Sequence, residues 1–458
     1  MVKPVEAGVV QDEAPPSTSR QRSLGRRVLL PFLSIIGLAS LTYLLGAAVI
    51  FFDLPSSAFL HKAFVGARAW YERKQAESET PSHGLPTVDQ ADDPERTFDG
   101  FTLIISGMES RASLINMRGE AVHTWAAPFS RVWPNPRHVE RIGDARVYFF
   151  GGYLYPNGDL LVVYQGRGVS PYGYGLAKLD KDSNVVWSYA ANVHHDVDVG
   201  DDGTIYLLEQ RLVKKKEELP AGFGLIPTPC QVDYLVLLSP DGQILKEISI
   251  LEALHDSPYS PLLSLLEPPQ HQGVLLSRPD EDKRKRDVLH SNFVHVLSKE
   301  LSPKFPMFKA GQVLISMRHL DAIAVLDTNT RSIVWAAHGP WRSQHDAQFL
   351  DNGHLLIFDN MGSPKSSRVL EFDPHTQAFP WTFPADESGN FSCVERGMSQ
   401  RLPNGNTLIV DSEHGQILEV TQTKERVWAC SCHAFIQSAR RYSPDQLHFL
   451  NRDQRARP

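Results

Sequence analysis

Cysteine is scarce in this chain of 458 residues, with only Cys230, Cys393, Cys430 and Cys432. None forms a CxxC pair, which sets aside zinc ribbons and thioredoxin-type motifs. Cys430 and Cys432 stand two apart in a strand-like segment, a poor geometry for joining each other. In an exported domain, Cys393 with either of them is an open alternative. Positive charge is also short. There are 46 Lys and Arg against 53 Asp and Glu, a formal net charge of −7. That balance argues against a general nucleic-acid binder. The basic runs Lys214–Lys216 and Lys283–Arg286 have acids beside them and read as solvated loops. With 42% hydrophobic residues, most of the chain is expected to be globular. Its length suits several domains or one large repeat-built domain.

One long uncharged run stands out, Val28–Phe52. It suffices to cross about 30 Å of hydrocarbon. It exceeds a signal peptide's apolar core and ends in Phe51-Phe52-Asp53-Leu54-Pro55, so it reads as an uncleaved transmembrane helix. Arg20, Arg22, Arg26 and Arg27 crowd its N-terminal side, and only Lys62 lies close on the other. The positive-inside rule then places residues 1–27 in the cytoplasm and the rest outside. Residues 1–27 read as a disordered tail. Within 53–97, residues 56–78 read as a juxtamembrane amphipathic helix and 79–96 as a polar linker.

From about residue 98 to 458 the pattern is β-rich and repeats. Phe150-GGYLYPNGDLLVVYQ, His195-DVDVGDDGTIYLLEQ, His345-DAQFLDNGHLLIFDN and Gly397-MSQRLPNGNTLIVDS align around a turn glycine. Each reads as a hairpin with favoured turn chemistry. A third strand follows, and a fourth often holds Val-Trp, as at Val186-Trp187, Val334-Trp335 and Val427-Trp428. Four strands every 45–55 residues or so are the mark of propeller blades. The expected fold is therefore all-β, a six-bladed β-propeller with an N-terminal transmembrane helix. Ala439-RRYSPDQL reads as an inner strand that completes the first blade, which opens at Gly100-FTLIIS. Residues 211–230 and 250–289 interrupt the repeat, the second with a possible helix at Pro261-LLSLLEP. Such insertions fall on one face, often the binding face.

The repeat makes the histidines informative. His195 stands eight residues before Gly203, and His345 eight before Gly353. His290, in His290-Ser-Asn292, opens the corresponding strand between them. Innermost strands converge on the channel, so these three side chains are expected to share one space. A second class stands seven residues after each turn glycine: Gly107, Gln165, Gln210, Arg318, Asn360 and Ser412. Arg318 is its one fixed cation. Strand alternation points His194 and His319 the other way, and both read as structural. A single His-Asp at a blade position is often structural as well.

At these residues the chain resembles the bacterial arylsulfate sulfotransferase family. The resemblance rests on HHD, HSN, SxRHxD and QHD in that order, followed by a DNG turn and FDN. It spans residues 100–430 or so. It implies a six-bladed propeller that moves a sulfuryl group from a phenolic sulfate ester to a phenol. No nucleotide donor and no cofactor are implied. The QHD-like histidine, here His345, is the one transiently sulfurylated. His195, with His194 beside it, His290 and Arg318 bind and activate the sulfate. Asn360 and Gln210 are placed with the substrate-binding residues. Well-known members have a cleaved signal and an extra N-terminal β-domain, where this chain has an anchor and a linker. The aromatic residues that bind the acceptor are not assigned by motif.

The residue types suit that chemistry. A neutral imidazole is a competent nucleophile near pH 7. Sulfate oxygens gather charge during transfer, and fixed donors such as the Arg318 fork stabilise it. Protonated His195 and His290 could add donors, and one could protonate the leaving phenolate. Asp346 follows the nucleophile and faces away on a strand. Two rivals remain: a histidine-held metal, which Arg318 opposes electrostatically, and a non-catalytic propeller that displays loops.

Overall fold

The computed structural model describes residues 86–90, 95–266 and 287–455, apart from 108, 170, 220–222, 224, 225, 227, 363–365 and 385–391. The expected tail, transmembrane helix and juxtamembrane helix lie outside these residues. Among the described residues no helix is long and apolar enough to cross a membrane.

Strand β1 (Thr87–Gln90) leads into six antiparallel sheets. Blade 1 holds β2 (Phe101–Ser106), β3 (Arg111–Ile115) and β4 (Ala121–Ala126). Blade 2 holds β5 (Val147–Leu154), β6 (Leu160–Gly166), β7 (Gly173–Leu179) and β8 (Val185–Tyr189). Blade 3 holds β9 (Val193–Val199), β10 (Ile205–Val213), β11 (Cys230–Leu238) and β12 (Ile244–Ser249). Blade 4 holds β13 (Ser291–Val296), β14 (Val313–Met317), β15 (Ala322–Asp327) and β16 (Ser332–His338). Blade 5 holds β17 (His345–Phe349), β18 (Leu355–Asp359), β19 (Arg368–Phe372) and β20 (Trp381–Phe383). Blade 6 holds β21 (Met398–Arg401), β22 (Thr407–Asp411), β23 (Gln416–Val420) and β24 (Arg426–Ser431). The last strand, β25 (Ile436–Tyr442), pairs with β2, Phe101 opposite Tyr442 and Ile104 opposite Ala439. It is the innermost strand of blade 1 and closes the ring as the sequence suggested.

Part of the expected linker is structured. Thr87–Gln90 adds a fifth strand to blade 6, with Thr87 opposite Ser431. The outer edge of β24 offers unpaired backbone groups for it. Four residues reading TVDQ carry no periodicity that would reveal this.

The repeated turns share one geometry. Gly158, Gly203, Gly353 and Gly405 take left-handed φ values of 90°, 82°, 85° and 87°. An Asn or Asp one residue earlier accepts from the N–H one residue later, as Asn157 does from Asp159 and Asp202 from Thr204. This is the chemistry of an Asx-stabilised hairpin turn. The outer-strand tryptophans have a similar logic. The indole of Trp125 donates to Gly158 O at 3.0 Å, Trp187 to Pro240 O at 3.1 Å and Trp428 to Met117 O at 3.0 Å. Each bond runs from one blade to the turn region of the next. Trp187 and Trp428 of the Val-Trp repeat, with Trp125, therefore tie neighbouring blades together.

Inner strands are buried on both faces between blades, so they read as continuous apolar runs rather than alternating ones; β15 is buried throughout. The outer β8 faces solvent on one side and alternates. The first insertion leaves the β10–β11 hairpin where Val213 faces Cys230, and its described part includes a 3₁₀ turn at Lys216–Glu218. Residues after β12 form a helix at Ile250–His255, capped by the Ser249 side chain, and a 3₁₀ turn at Ser260–Leu266. Leu219, Phe223, Leu251, Leu254 and Leu289 of the two insertions pack in one cluster. Antiparallel order puts the ends of β10 and β12, from which the described parts of both insertions depart, on the face where β9, β13 and β17 begin. All four cysteines are buried free thiols. The alternative of a disulfide from Cys393 to Cys430 or Cys432 is not realised.

Candidate active site

The inner strands enter the channel through bulges. Register shifts interrupt β9–β10 at Leu207/Leu208, β13–β14 at Ser291/Phe293 and β17–β18 at His345/Gln348. His195, His290 and Asp346 have left-handed φ values of 58°, 50° and 50°. Such backbone costs about 1–3 kcal/mol per residue and persists where the surroundings enforce it. A bulge also cancels strand alternation, which corrects the expectation for two histidines. His194 does not turn away: its Nδ1 lies 2.7 Å from Nδ1 of His195. His319 sits on a 3₁₀ turn at Arg318–Leu320, not on a strand, and its ring centroid is 4.9 Å from that of His290. His195 and His290 are also 4.9 Å apart, centroid to centroid. Gly151 lets blade 2 come close, since a Cβ there would lie 2.4 Å from the His195 carbonyl oxygen.

His345 is buried, and its tautomer is fixed. Its Nδ1 lies 2.8 Å from Asn360 Oδ1 and 3.1 Å from Ser343 O. Both are acceptors, so Nδ1 carries the hydrogen and Nε2 carries the lone pair. The Asn360 amide is oriented in turn, because its Nδ2 donates to the carbonyls of Cys393 and Arg396. Asn360 was expected among the substrate-binding residues. Its polar atoms are instead committed to protein partners, and it positions His345. Burial first, then the Arg318 charge, holds the His345 imidazole well below its usual pKa. The ring is neutral at pH 7.

A second layer of acids supports the other histidines. His290 Nδ1 lies 2.6 Å from Asp287 Oδ2. His319 Nδ1 donates to Asp287 O at 2.7 Å, and burial lowers its pKa to about 3. Gln210 Nε2 donates to Asp287 Oδ1 at 3.1 Å and approaches Asp233 Oδ1 at 3.4 Å. Gln210 was also expected to bind substrate, yet its amide nitrogen serves these carboxylates. Burial would raise Asp233, but the facing His194 ring, 3.5 Å away, and the Ser291 N–H, which donates to it at 2.6 Å, outweigh it and hold the carboxyl below its usual range. Burial raises Asp287 to about 6. His195 is kept neutral by burial and by the neighbouring histidines, which corrects its expected role as an imidazolium. Tyr172 packs edge-on to His194 and His195 at 5.9 and 5.6 Å.

Arg318 caps β14, and its backbone N–H donates to His290 O at 3.1 Å. A small cavity is lined by His195, Asp196, Asn292, His345, Asp346 and Arg396, among others. Asp346 lines it but accepts from Ser399 N and Gln348 Nε2, so it ties blade 5 to blade 6. Arg396, Asp233, Asp287 and Tyr172 were not anticipated. Arg396 had a signal: it stands nine residues before Gly405, as His194 stands nine before Gly203.

Asp287, His290 and His319 place three ligand atoms within 4.8 Å of one another, a spacing open to a metal ion. Hydrogen bonds already occupy His319 Nδ1 and both Asp287 oxygens. That leaves few donors for an ion in this arrangement.

Fold and site together define a β-propeller with a buried and half-buried cluster of imidazole and guanidinium groups at one channel mouth. The sequence model of the arylsulfotransferase (ASST) family matches residues 153–433, and the chain belongs to that family. None of the curated proteins matches the chain. Among solved structures, a protein of unknown function from Bacteroides caccae has a TM-score of 0.46 at 12% identity, covering 75% of this chain and 98% of that one. A streptogramin B lyase has a TM-score of 0.40 at 12% identity, covering 76% of this chain and 84% of that one. The virginiamycin B lyase from Staphylococcus aureus has a TM-score of 0.34 at 9% identity, covering 61% and 69%.

Proposed function

We propose that this protein transfers a sulfuryl group from a phenolic sulfate ester to a phenol through a sulfohistidine on His345. The observation that carries the reading is the locked Nδ1–H of His345, which leaves Nε2 as a neutral nucleophile. In the first half-reaction the Nε2 lone pair bonds to sulfur and the S–O(aryl) bond breaks. The leaving phenolate takes a proton from the His290 imidazolium, which the Asp287 carboxylate stabilises. Arg318 presents its planar fork to the sulfate oxygens. With His194 as donor between the two Nδ1 atoms, His195 presents Nε2–H to the same oxygens. In the second half-reaction the acceptor phenol attacks sulfur, the N–S bond breaks, and the phenolic proton returns to His290. No cofactor enters. The apolar run Val28–Phe52 anchors the chain, with the propeller outside the cytoplasm, where nucleotide sulfate donors are absent.

The test incubates the purified full-length protein with a fluorogenic aryl sulfate and a phenol. Transfer with ping-pong kinetics is expected, together with a sulfuryl mass increment on the His345 peptide. Absence of transfer, or full activity in His345→Ala, refutes the reading. A metal-dependent alternative, to which the Asp287–His290–His319 spacing is open, requires stoichiometric metal and loss of activity on chelation.

A further inference from the structure

We propose that Arg396 is a second anion-binding residue of this site, meeting the oxygens of a bound sulfate or sulfuryl group from blade 6 while Arg318 meets them from blade 4. The inference rests on the sulfuryl-transfer reading and extends its binding site. The nucleophile His345 belongs to blade 5, between these two cations.

Arg396 stands just before β21 and is 8% exposed. A buried cation is normally paired with a carboxylate. Among the described residues no carboxylate lies within ion-pairing distance of it. Its hydrogen bonds go to neutral carbonyls: Nε donates to Gln437 O, and Nη2 to Phe150 O at 2.9 Å. The guanidinium carbon lies 3.4 Å from the Phe150 ring centroid, and that ring is 5.3 Å from His195. The remaining nitrogen, Nη1, has no hydrogen-bond partner among the described residues. Arg396 lines the cavity that His195 and His345 also line. Desolvation lowers its pKa to about 10, so it remains charged at pH 7.

The arrangement is therefore a fixed, desolvated guanidinium with no directly paired countercharge beside the nucleophile; Asp196 and Asp346 line the same cavity but lie beyond ion-pairing distance. A tetrahedral dianion or monoester sulfate in the cavity supplies that countercharge. The carbonyls of Phe150 and Gln437 and the Phe150 ring fix the fork before the anion arrives, so little is lost on binding.

The probe is inorganic sulfate, titrated calorimetrically into the full-length protein, with sulfuryl transfer measured in parallel. Arg396→Gln is expected to weaken sulfate binding about tenfold or more and to lower transfer. Arg396→Lys keeps the charge without the fork and is expected to fall in between. If Arg396→Gln does not fold, Arg396→Lys carries the test, and an affinity equal to wild type overturns the inference. A folded Arg396→Gln with wild-type sulfate affinity overturns it too, as does a wild-type protein that binds no sulfate. Sulfate binding that depends on Arg396 in a protein without transfer activity would sustain the anion site and sink the transfer reading instead.

Discussion

Asn360→Ala separates positioning from substrate binding. The wild-type amide gives His345 Nδ1–H an acceptor at 2.8 Å, backed by Ser343 O at 3.1 Å. Its own orientation is set by the carbonyls of Cys393 and Arg396. Alanine removes the shorter contact and leaves the longer one. A buried neutral hydrogen bond contributes about 1–1.5 kcal/mol, so the productive tautomer loses roughly tenfold in population. A less constrained ring adds a misorientation loss, and the total is expected at about 10–100-fold in kcat. KM for the donor ester should stay near wild type, because the Asn360 amide is spent on the protein. The carbonyls of Cys393 and Arg396 keep the Ser367 hydroxyl and the Cys393 thiol as donors, so each lost amide bond should lower stability by about 1 kcal/mol. Steady-state kinetics at varied donor, with a denaturant melt on the same preparation, reads all three quantities. A raised KM with preserved kcat would show that Asn360 touches the substrate and that the positioning argument is wrong.

Two other changes test the supporting layer and the ring. Burial raises Asp287 to about 6, so its carboxylate is lost as pH falls through that value. His345 titrates well below its usual range and adds no limb near 6.5. Transfer should therefore decline below about pH 6 in wild type, and Asp287→Asn should be slow with no limb there; an unchanged profile in that variant refutes the His290–Asp287 pairing. Arg441 on β25 and Glu419 on β23 form an ion pair in which both side chains are 0% exposed. Arg441→Met should cost about 3–5 kcal/mol in denaturant unfolding by stranding a buried charge, and a cost under about 1 kcal/mol would mean that Glu419 is relieved in some other way.

The blades were legible because turn glycines and apolar hairpins recur at fixed spacing. The ring closure by β25 was legible because blade 1 lacked an inner strand. The positions of His195, His290, His345 and Arg318 followed from the same repeat. The orientations of His194 and His319 did not. Period-2 reasoning assumes an unbroken ladder, and each of these strand entries is bulged or replaced by a 3₁₀ turn. Nor could sequence show that Asn360 and Gln210 face protein groups, because their partners lie 15 to 77 residues away. The Asp287 and Asp233 layer was hidden for a different reason. Asp287 closes an insertion with no repeat, and Asp233 lies on a third strand where no repeated polar position was sought.

Each blade supplies one part of the candidate site. Blade 2 gives Phe150, blade 3 His195, blade 4 His290 and Arg318, blade 5 His345 and Asn360, and blade 6 Arg396. Blade 1 completes the set through the Gln437 carbonyl that accepts from Arg396 Nε. No local segment can therefore assemble the cluster, and its geometry depends on the radius of the closed ring. The closing strand has two duties. It forms the β2 ladder that shuts the ring, and its Gln437 carbonyl holds the guanidinium beside the nucleophile's cavity. Fraying of β25 would free that carbonyl before any other blade had to move. Ring closure and anion binding are thus coupled through one residue, and stability of the β25–β2 ladder sets how well Arg396 stays pointed at the site.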